Sequence, residues 1–513
     1  MDLTTRPFPA RASAVAARGM VATSQPLATQ AGLRALERGG NAVDAALSAA
    51  AVLCVVEPMS TGIGGDCFAL VWRDGELTGL NASGRAPAAA DPDALGTAIP
   101  VRGPLSVTAP GAVAGWAALA ERHGRLGLER ALADAIDIAE RGFGMTPVIA
   151  GYWANAAAEL AQFEEARAVF LPAPRVGQIV RLPELAATLR RIASGGADGF
   201  YRGPVADAIC AVTPLTLDDL AVPHAEWVEP LRMHYRGVEV CEIPPNGQGV
   251  AALQALGILE GLDHTGGRVL DRVHLQSEAM KLAFADAERH VHDGPLPPRY
   301  LDEEYLASRR ALIDPARAGA PSAGALGRSG TVYLCAVDEQ RNACSLIQSL
   351  YNSFGSMVVA PGTGVVLQNR GHCFTLEQGH PNRLAPGKRP YHTIIPGLLL
   401  REGDLLGPFG LMGGHMQPQG HLQVVSHMVD RGLDPQAALD EPRWRLDRDG
   451  REGWSLALEE PLHGLAPALA RRGHRVLCDP NPAAFGGGQA VLVRDDSLIG
   501  GSESRKDGVA LGY

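Results

Sequence analysis

The chain changes character at a single peptide bond. Residues 314–330, "DPARAGAPSAGALGRSG", are mostly Ala, Gly, Pro and Ser with no apolar period, the composition of an exposed flexible connector. The next residues, "TVYLCAVD" (331–338), are rich in β-branched and aromatic side chains and read as a strand. A chain that is slack up to Gly330 and rigid from Thr331 is either a linker between domains or a place where the chain is cut.

The two sides of that bond differ in pattern. Upstream, "QPLATQAGLRALERGGNAVDAALSAAAVL" (25–53) gives two helices joined at "RGGN", with Asn41 as an N-cap. "CFALVWRDGELTGLNASG" reads as a hairpin around "RDGE". Much of 111–290 has apolar residues at helical spacing, as in "LERALADAIDIAERG" and "DRVHLQSEAMKLAFADAERH". Downstream, "TVYLCAVDEQRNACSLIQSLY", "GVVLQN", "TIIPGLLLREGDLLGPFG" and "QAVLVRDDSLIGG" are strand-like, with a helix in "QPQGHLQVVSHMVDRG". Runs of one type followed by runs of the other predict an α+β layered fold. At 513 residues, roughly two to four core-forming units are expected.

A net charge of -10 with no basic cluster argues against nucleic acid or an anionic membrane as partner. The most apolar stretch, "AALSAAAVLCVV" (45–56), lies between Asp44 and Glu57 and is too short to span a bilayer, so it is expected as a buried helix. The first twenty residues lack the apolar run of a signal peptide. Eight scattered cysteines form no C-x-x-C pair, and most lie in apolar runs. Free thiols and a cytoplasmic setting are the expectation.

Several motifs carry little chemistry. "STGIGGDCF" (60–68) lacks the Lys-Ser/Thr of a phosphate loop and reads as a tight turn. His290 and His292 have metal-like spacing but no further Cys/His/Asp cluster in the sequence to complete a site. His421 and His427, six apart, point to different faces of a helix. No G-x-S-x-G elbow is present.

Thr331 is different. A threonine hydroxyl is a weak nucleophile until a base takes its proton. Were the chain cut before Thr331, the freed α-amine, with an ordinary pKa of about 7.7–8, would supply that base from the same residue. The hydroxyl could also make the cut by attacking the Gly330 carbonyl, where glycine tolerates the strained backbone such an attack needs. Gly-Thr after a loop is equally the start of an ordinary strand.

The surrounding blocks resemble the γ-glutamyltransferase family of N-terminal-nucleophile hydrolases. "MVATSQPLATQAGLRALERGGNAVDAALSAAAVLCVVEPMSTGIGGDCFALVW" is similar to that family's N-terminal signature. "GTVYLCAVDEQRNACSLIQSLYNSFGSMVVAPGTGVVLQNRG", "PGKRPYHTIIP", "GPFGLMGGHMQPQGH" and "GGSESRKDGVALGY" follow in family order. The resemblance implies an α+β fold of the four-layer αββα type and synthesis as a proenzyme. It also implies cleavage at Gly330–Thr331 into a large subunit (1–330, ending in the 314–330 connector) and a small subunit (331–513). It names no cofactor and no metal.

Carried over by position, the resemblance makes Thr331 the nucleophile, Ser349 its hydroxyl partner, and Gly413 and Gly414 the oxyanion hole. The recognition positions depart from the family. Cys373 stands where glutathione-cleaving members hold the substrate's α-ammonium with an acid, and His392 and Thr393 replace paired serines that bind the α-carboxylate. Tyr351 replaces an asparagine. Ser83 occupies the position of the carboxylate-binding arginine, with Arg85 two residues away.

The catalytic set is kept and the specificity pocket is rewritten. The expectation is a self-processing hydrolase that forms an acyl-threonine and hydrolyses a small acid or amide, bound with help from Arg85, Arg370 or His392. The partners expected are that small molecule and the two fragments of one precursor. Alternatives are a true glutathione hydrolase or γ-glutamyltransferase, a C–C bond hydrolase in an antibiotic (substituted proline) pathway, an uncut binding protein, and a metal hydrolase using His290 and His292.

Overall fold

The helix expected over 45–56 sets the depth of the fold. In the computed structural model, which describes residues 11–265, 267–321, 330–448 and 453–513, it runs Ala42–Val56 with every residue buried. Asn41 caps it through a reciprocal box: its side chain accepts from Val43 and Asp44 N–H, and Asp44 accepts from the Asn41 N–H. A helix apolar all round must be covered on every side. The helices Pro26–Glu37 and Gly127–Arg141 and the strands Gly330–Val337 and Ala343–Tyr351 cover it.

Two seven-stranded sheets lie face to face. The first runs Val509–Gly512, Met20–Thr23, Gly330–Val337, Ala343–Tyr351, Asp66–Arg73, Glu76–Ala82, Glu226–Val228. The second runs Ala14–Ala16, Ser497–Ser502, Gly487–Arg494, Asp404–Met412, Gly397–Arg401, Val238–Glu242, Leu231–Tyr235. Neighbours in both are antiparallel.

The strand after Gly330 shows how the layers are filled. Val332, Leu334 and Ala336 point to the helices packed on the first sheet, while Tyr333, Cys335 and Val337 point into the space between the sheets. Both faces are buried, so the sequence reads as one apolar run. The second sheet packs outward on Gly249–Glu260, Val269–His290 and Met416–Asp430 through Val240, Leu399 and Phe409. The result is a four-layer αββα sandwich with three large apolar interfaces stacked in one body. Each sheet draws strands from both sides of residue 330.

The hairpin around "RDGE" forms as Asp66–Arg73 and Glu76–Ala82. "GVVLQN" contributes only the short pair Val365–Val366 with Val359–Ala360. The strand expected from "TIIPG" begins at Gly397, because Pro396 has no N–H to give a ladder. The preceding N–H groups of Ile394 and Ile395 go to the side chains of His392 and Gln417.

Of the 314–330 stretch, residues 322–329 lie outside the described residues. Residues 314–321 are held at several points: His274 Nε2 meets Asp314 O, Glu278 and Lys281 bond the Gly319 N–H and carbonyl, and Trp454 Nε1 donates to Pro321 O. All eight cysteines are free. No helix among the described residues is long and apolar enough to cross a membrane.

Candidate active site

Thr331 and Ser349 lie on adjacent strands at an irregularity. Gly330 pairs with Tyr351 and Val332 with Gln348, so the register slips by one residue between them. Thr331 Oγ1 lies 3.1 Å from Ser349 Oγ, and both residues are buried. Ser349 Oγ also accepts from the Tyr351 N–H at 2.8 Å and from Arg370 Nη2 at 3.2 Å. A hydroxyl that accepts two N–H bonds, one of them charged, is the more acidic and polarised for it.

Gly413 and Gly414 turn the chain from the strand Asp404–Met412 into the helix Met416–Asp430. Their φ angles are +128° and +62°, a conformation that glycine adopts without strain. Gly413 and Thr331 line the same cavity of about 420 Å3. Among the described residues, neither glycine N–H has a side-chain or turn acceptor, whereas Gly414 O accepts from Gln248 Nε2. A free N–H donor on the nucleophile's cavity, as at Gly413, is what a developing oxyanion needs.

Arg370 ties the recognition positions to this pair. It is wholly buried, donates to Ser349 Oγ and at 2.8 Å to Thr393 Oγ1, approaches Cys373 Sγ at 3.8 Å, and lies 4.4 Å above the Tyr351 ring. No carboxylate among the described residues forms an ion pair with it. Tyr351, at φ +75°, and Cys373 line a second cavity of about 510 Å3 with Tyr391, His415 and Glu288. Burial raises the Cys373 thiol despite the nearby guanidinium, and it lowers His415 to about 4.

Thr331, Ser349, Arg370, Thr393, Cys373 and Tyr351 thus form one contact chain, with Gly413 across the cavity. His392 and Arg85 stand outside it. His392 Nδ1 accepts from the Ile394 N–H and Nε2 donates to Asp66 Oδ2 at 3.0 Å, so both ring nitrogens are used internally. Burial lowers it to about 4, which keeps it neutral. Arg85 pairs with Asp293 and Gly387 O and lines neither cavity.

Other residues on the Thr331 cavity gave no sequence signal: Asn352, Ser353, Arg102, Tyr152 and Lys506 come from four distant stretches that only the fold unites. The "STGIGG" glycines serve close packing. A Cβ on Gly64 would stand 2.3 Å from Val366 O, and one on Gly65 2.4 Å from Ser349 O, so this turn supports the strand that carries Ser349. Among the described residues His290 and His292 belong to no ligand cluster, and His292 Nδ1 bonds the His290 carbonyl. The His/Glu cluster with ligand-like spacing among the described residues is His274, Glu278 and His474, where Lys281 Nζ already lies 2.7 Å from Glu278 Oε1.

Comparison with known proteins gives a consistent picture. The family model described as Gamma-glutamyltranspeptidase matches residues 28–513. An oxamate amidohydrolase proenzyme of Klebsiella pneumoniae is 37% identical, with 98% of this chain and 99% of that protein covered. A glutathione hydrolase-like proenzyme of Bacillus subtilis is 35% identical at the same coverage. The crystal structure of a cephalosporin acylase from Bacillus halodurans superposes with a TM-score of 0.93 at 45% identity, covering 100% of this chain and 99% of that one. The chain therefore belongs to the gamma-glutamyltranspeptidase family of N-terminal-nucleophile hydrolases.

Proposed function

We propose that this protein is a proenzyme that severs its own Gly330–Thr331 bond and then hydrolyses the amide of a small acid through an acyl-threonine, with glutathione a poor substrate. The observation that carries this reading is the Thr331–Ser349–Arg370 contact chain beside the free Gly413 N–H. In the cut enzyme the Thr331 α-amine takes the hydroxyl proton and Oγ1 attacks the substrate carbonyl. The Gly413 N–H stabilises the oxyanion. The proton then passes to the leaving nitrogen, and water, deprotonated by the same amine, opens the ester. In the precursor the hydroxyl attacks the Gly330 carbonyl instead, and water splits the resulting ester into 1–330 and 331–513.

Relatives described as an oxamate amidohydrolase and a cephalosporin acylase support amide hydrolysis. The recognition site argues against a free α-ammonium. An ammonium brought to Cys373 meets no acid there, and the Arg370 guanidinium lies 3.8 Å from the thiol. Glu288, in the same cavity, is a weak substitute, since it pairs with Arg448 and burial raises its carboxyl to about 7. Eight unpaired cysteines favour a reducing, cytoplasmic setting.

The test is N-terminal sequencing of the purified protein together with turnover of oxamate and γ-glutamyl anilide. Two fragments, the smaller starting at Thr331, and preference for the former substrate type are expected. A single uncut chain, or efficient γ-glutamyl cleavage, overturns the reading.

A further inference from the structure

The cavity beside Thr331 holds a cation that the chemistry at Thr331 does not use. Lys506, in the C-terminal "SRKDG", is 8% exposed and lines that cavity with Thr331 and Gly413. Its alkyl stem crosses Gly487, where a Cβ would come within 2.7 Å of Lys506 Cε. Gly487 pairs with Met412, the residue before Gly413. A bare glycine at 487 therefore lets the lysine run alongside the turn that holds the free N–H.

The ammonium at the end of that stem is under-satisfied. It has three donors; one goes to Tyr152 OH, and the nitrogen lies 4.5 Å above the Tyr152 ring. No carboxylate among the described residues lies within ion-pair distance. Acids near it are engaged elsewhere: Asp507 accepts from the Val148 and Ile149 N–H groups, Glu57 accepts from Ser24 Oγ at 2.5 Å, and Glu503 accepts from Arg443, Arg505 and the Gly488 N–H. Arg102 lines the same cavity from another side, fixed by the Ser353 and Gly355 carbonyls and by Glu159. An ammonium on this cavity with one hydrogen bond and no counter-ion gains a strong partner when an anionic group enters.

We propose that this cavity is a carboxylate subsite, in which Lys506, with Tyr152 and Arg102 beside it, holds an acid group that the substrate carries near the amide cleaved by Thr331. This rests on the Thr331 reading and narrows its substrate class to amides with a second, ionised end. A cavity of about 420 Å3 has room for a chain of a few carbons between the carboxylate and the scissile carbonyl.

The experiment is calorimetric titration of the wild-type protein, after intact mass has shown the cut, with unbranched dicarboxylates of two to six carbons and with their monomethyl and dimethyl esters. p-Aminobenzoate and aniline are titrated alongside, to tell a carboxylate on the acyl part from one on the leaving amine. At least one acid should bind and its fully esterified or uncharged analogue should lose at least tenfold. Lys506→Met should lose the same factor for the acid and nothing for the neutral analogue, and Lys506→Arg should recover part of it. Should Lys506→Met fail to fold, Lys506→Gln carries the same comparison, and full acid affinity in a folded Lys506 variant overturns this inference. A cut protein that binds no acid, or binds acid and ester alike, overturns this inference alone. An uncut wild-type chain overturns the Thr331 reading and this inference with it.

Discussion

Thr331 Oγ1 faces Ser349 Oγ at 3.1 Å, because the Val332–Gln348 register continued by one step sets the two residues opposite each other, just before the ladder slips at Gly330. Thr331→Ala removes the only group proposed both to cut the chain and to turn over substrate. A single band on a denaturing gel and no hydrolysis are expected, and Thr331→Ser should retain part of both. Cleavage of the alanine variant at the same bond would assign the cut to an outside protease.

Ser349→Ala strands two donors, the Tyr351 N–H and the buried Arg370 guanidinium. Loss of a charged hydrogen bond of this kind costs about 1.5–3 kcal/mol, so self-cleavage and kcat should each fall by about 10- to 100-fold. Single-turnover rates on Ser349→Ala and Ser349→Thr check this. The threonine variant keeps a hydroxyl and should lie near the wild type.

Gly413→Ala places a side chain at φ +128°, with its Cβ 3.2 Å from Gly486 Cα and from Met416 Cβ. The turn must shift and the N–H with it. Loss of one oxyanion donor costs about 100- to 1000-fold in kcat. KM should change little, and steady-state kinetics separates the two.

Cys373→Asp puts an acid where the family resemblance places the ammonium-binding group. kcat/KM for a γ-glutamyl anilide should rise while that for oxamate falls. The rise should be partial, because Arg370 Nη1 is already 3.8 Å from the Cys373 sulfur and will pair with the new carboxylate. Equal kinetics for the two proteins would show that the head group binds elsewhere.

Glu57 gives a pH signature. Burial raises its carboxyl from 4.5 to about 7, against the Ser24 hydrogen bond and the Lys506 charge. The folded chain keeps this proton where the unfolded chain has lost it, so the group lowers stability as pH rises from about 4.5 to about 7 and at a constant level above. Glu57→Gln preserves an acceptor for Ser24 and should remove that slope, a gain of at most ~3 kcal/mol at pH 8 and little at pH 4. Chemical denaturation of both proteins across that range measures the difference.

Much of this was legible in the chain. Asn41 as a cap, the wholly buried 42–56 helix and the 66–82 hairpin follow from local chemistry, because caps, tight turns and apolar runs act over a few residues. The pairing of Thr331 with Ser349 followed from family blocks. Arg370 gave only a substrate-binding expectation, and its grip on Ser349, Thr393 and Cys373 appears once strands and loops are folded together. Lys506 was invisible for the same reason: nothing in "SRKDG" says that its stem will cross Gly487 toward residue 413. The family resemblance places His392 in the pocket through the "PYHTIIP" block, yet Asp66, 326 positions away, claims its ring.

The strand Gly330–Val337 lies between Met20–Thr23 and Ala343–Tyr351, inside a sheet whose order mixes early and late segments. The proposed cut at its start would change the chemistry of Thr331 while leaving the strand pairing of that sheet in place. It does change the reaction by which the fold could be regained. The precursor folds as a unimolecular process, but two fragments that each lack interior strands must first find one another, with unpaired edges exposed until they do. Denaturing the mature enzyme should therefore be hard to reverse at low concentration, while an uncut Thr331→Ala chain refolds on its own. The molecule has one opportunity to fold easily, and it comes before the cut.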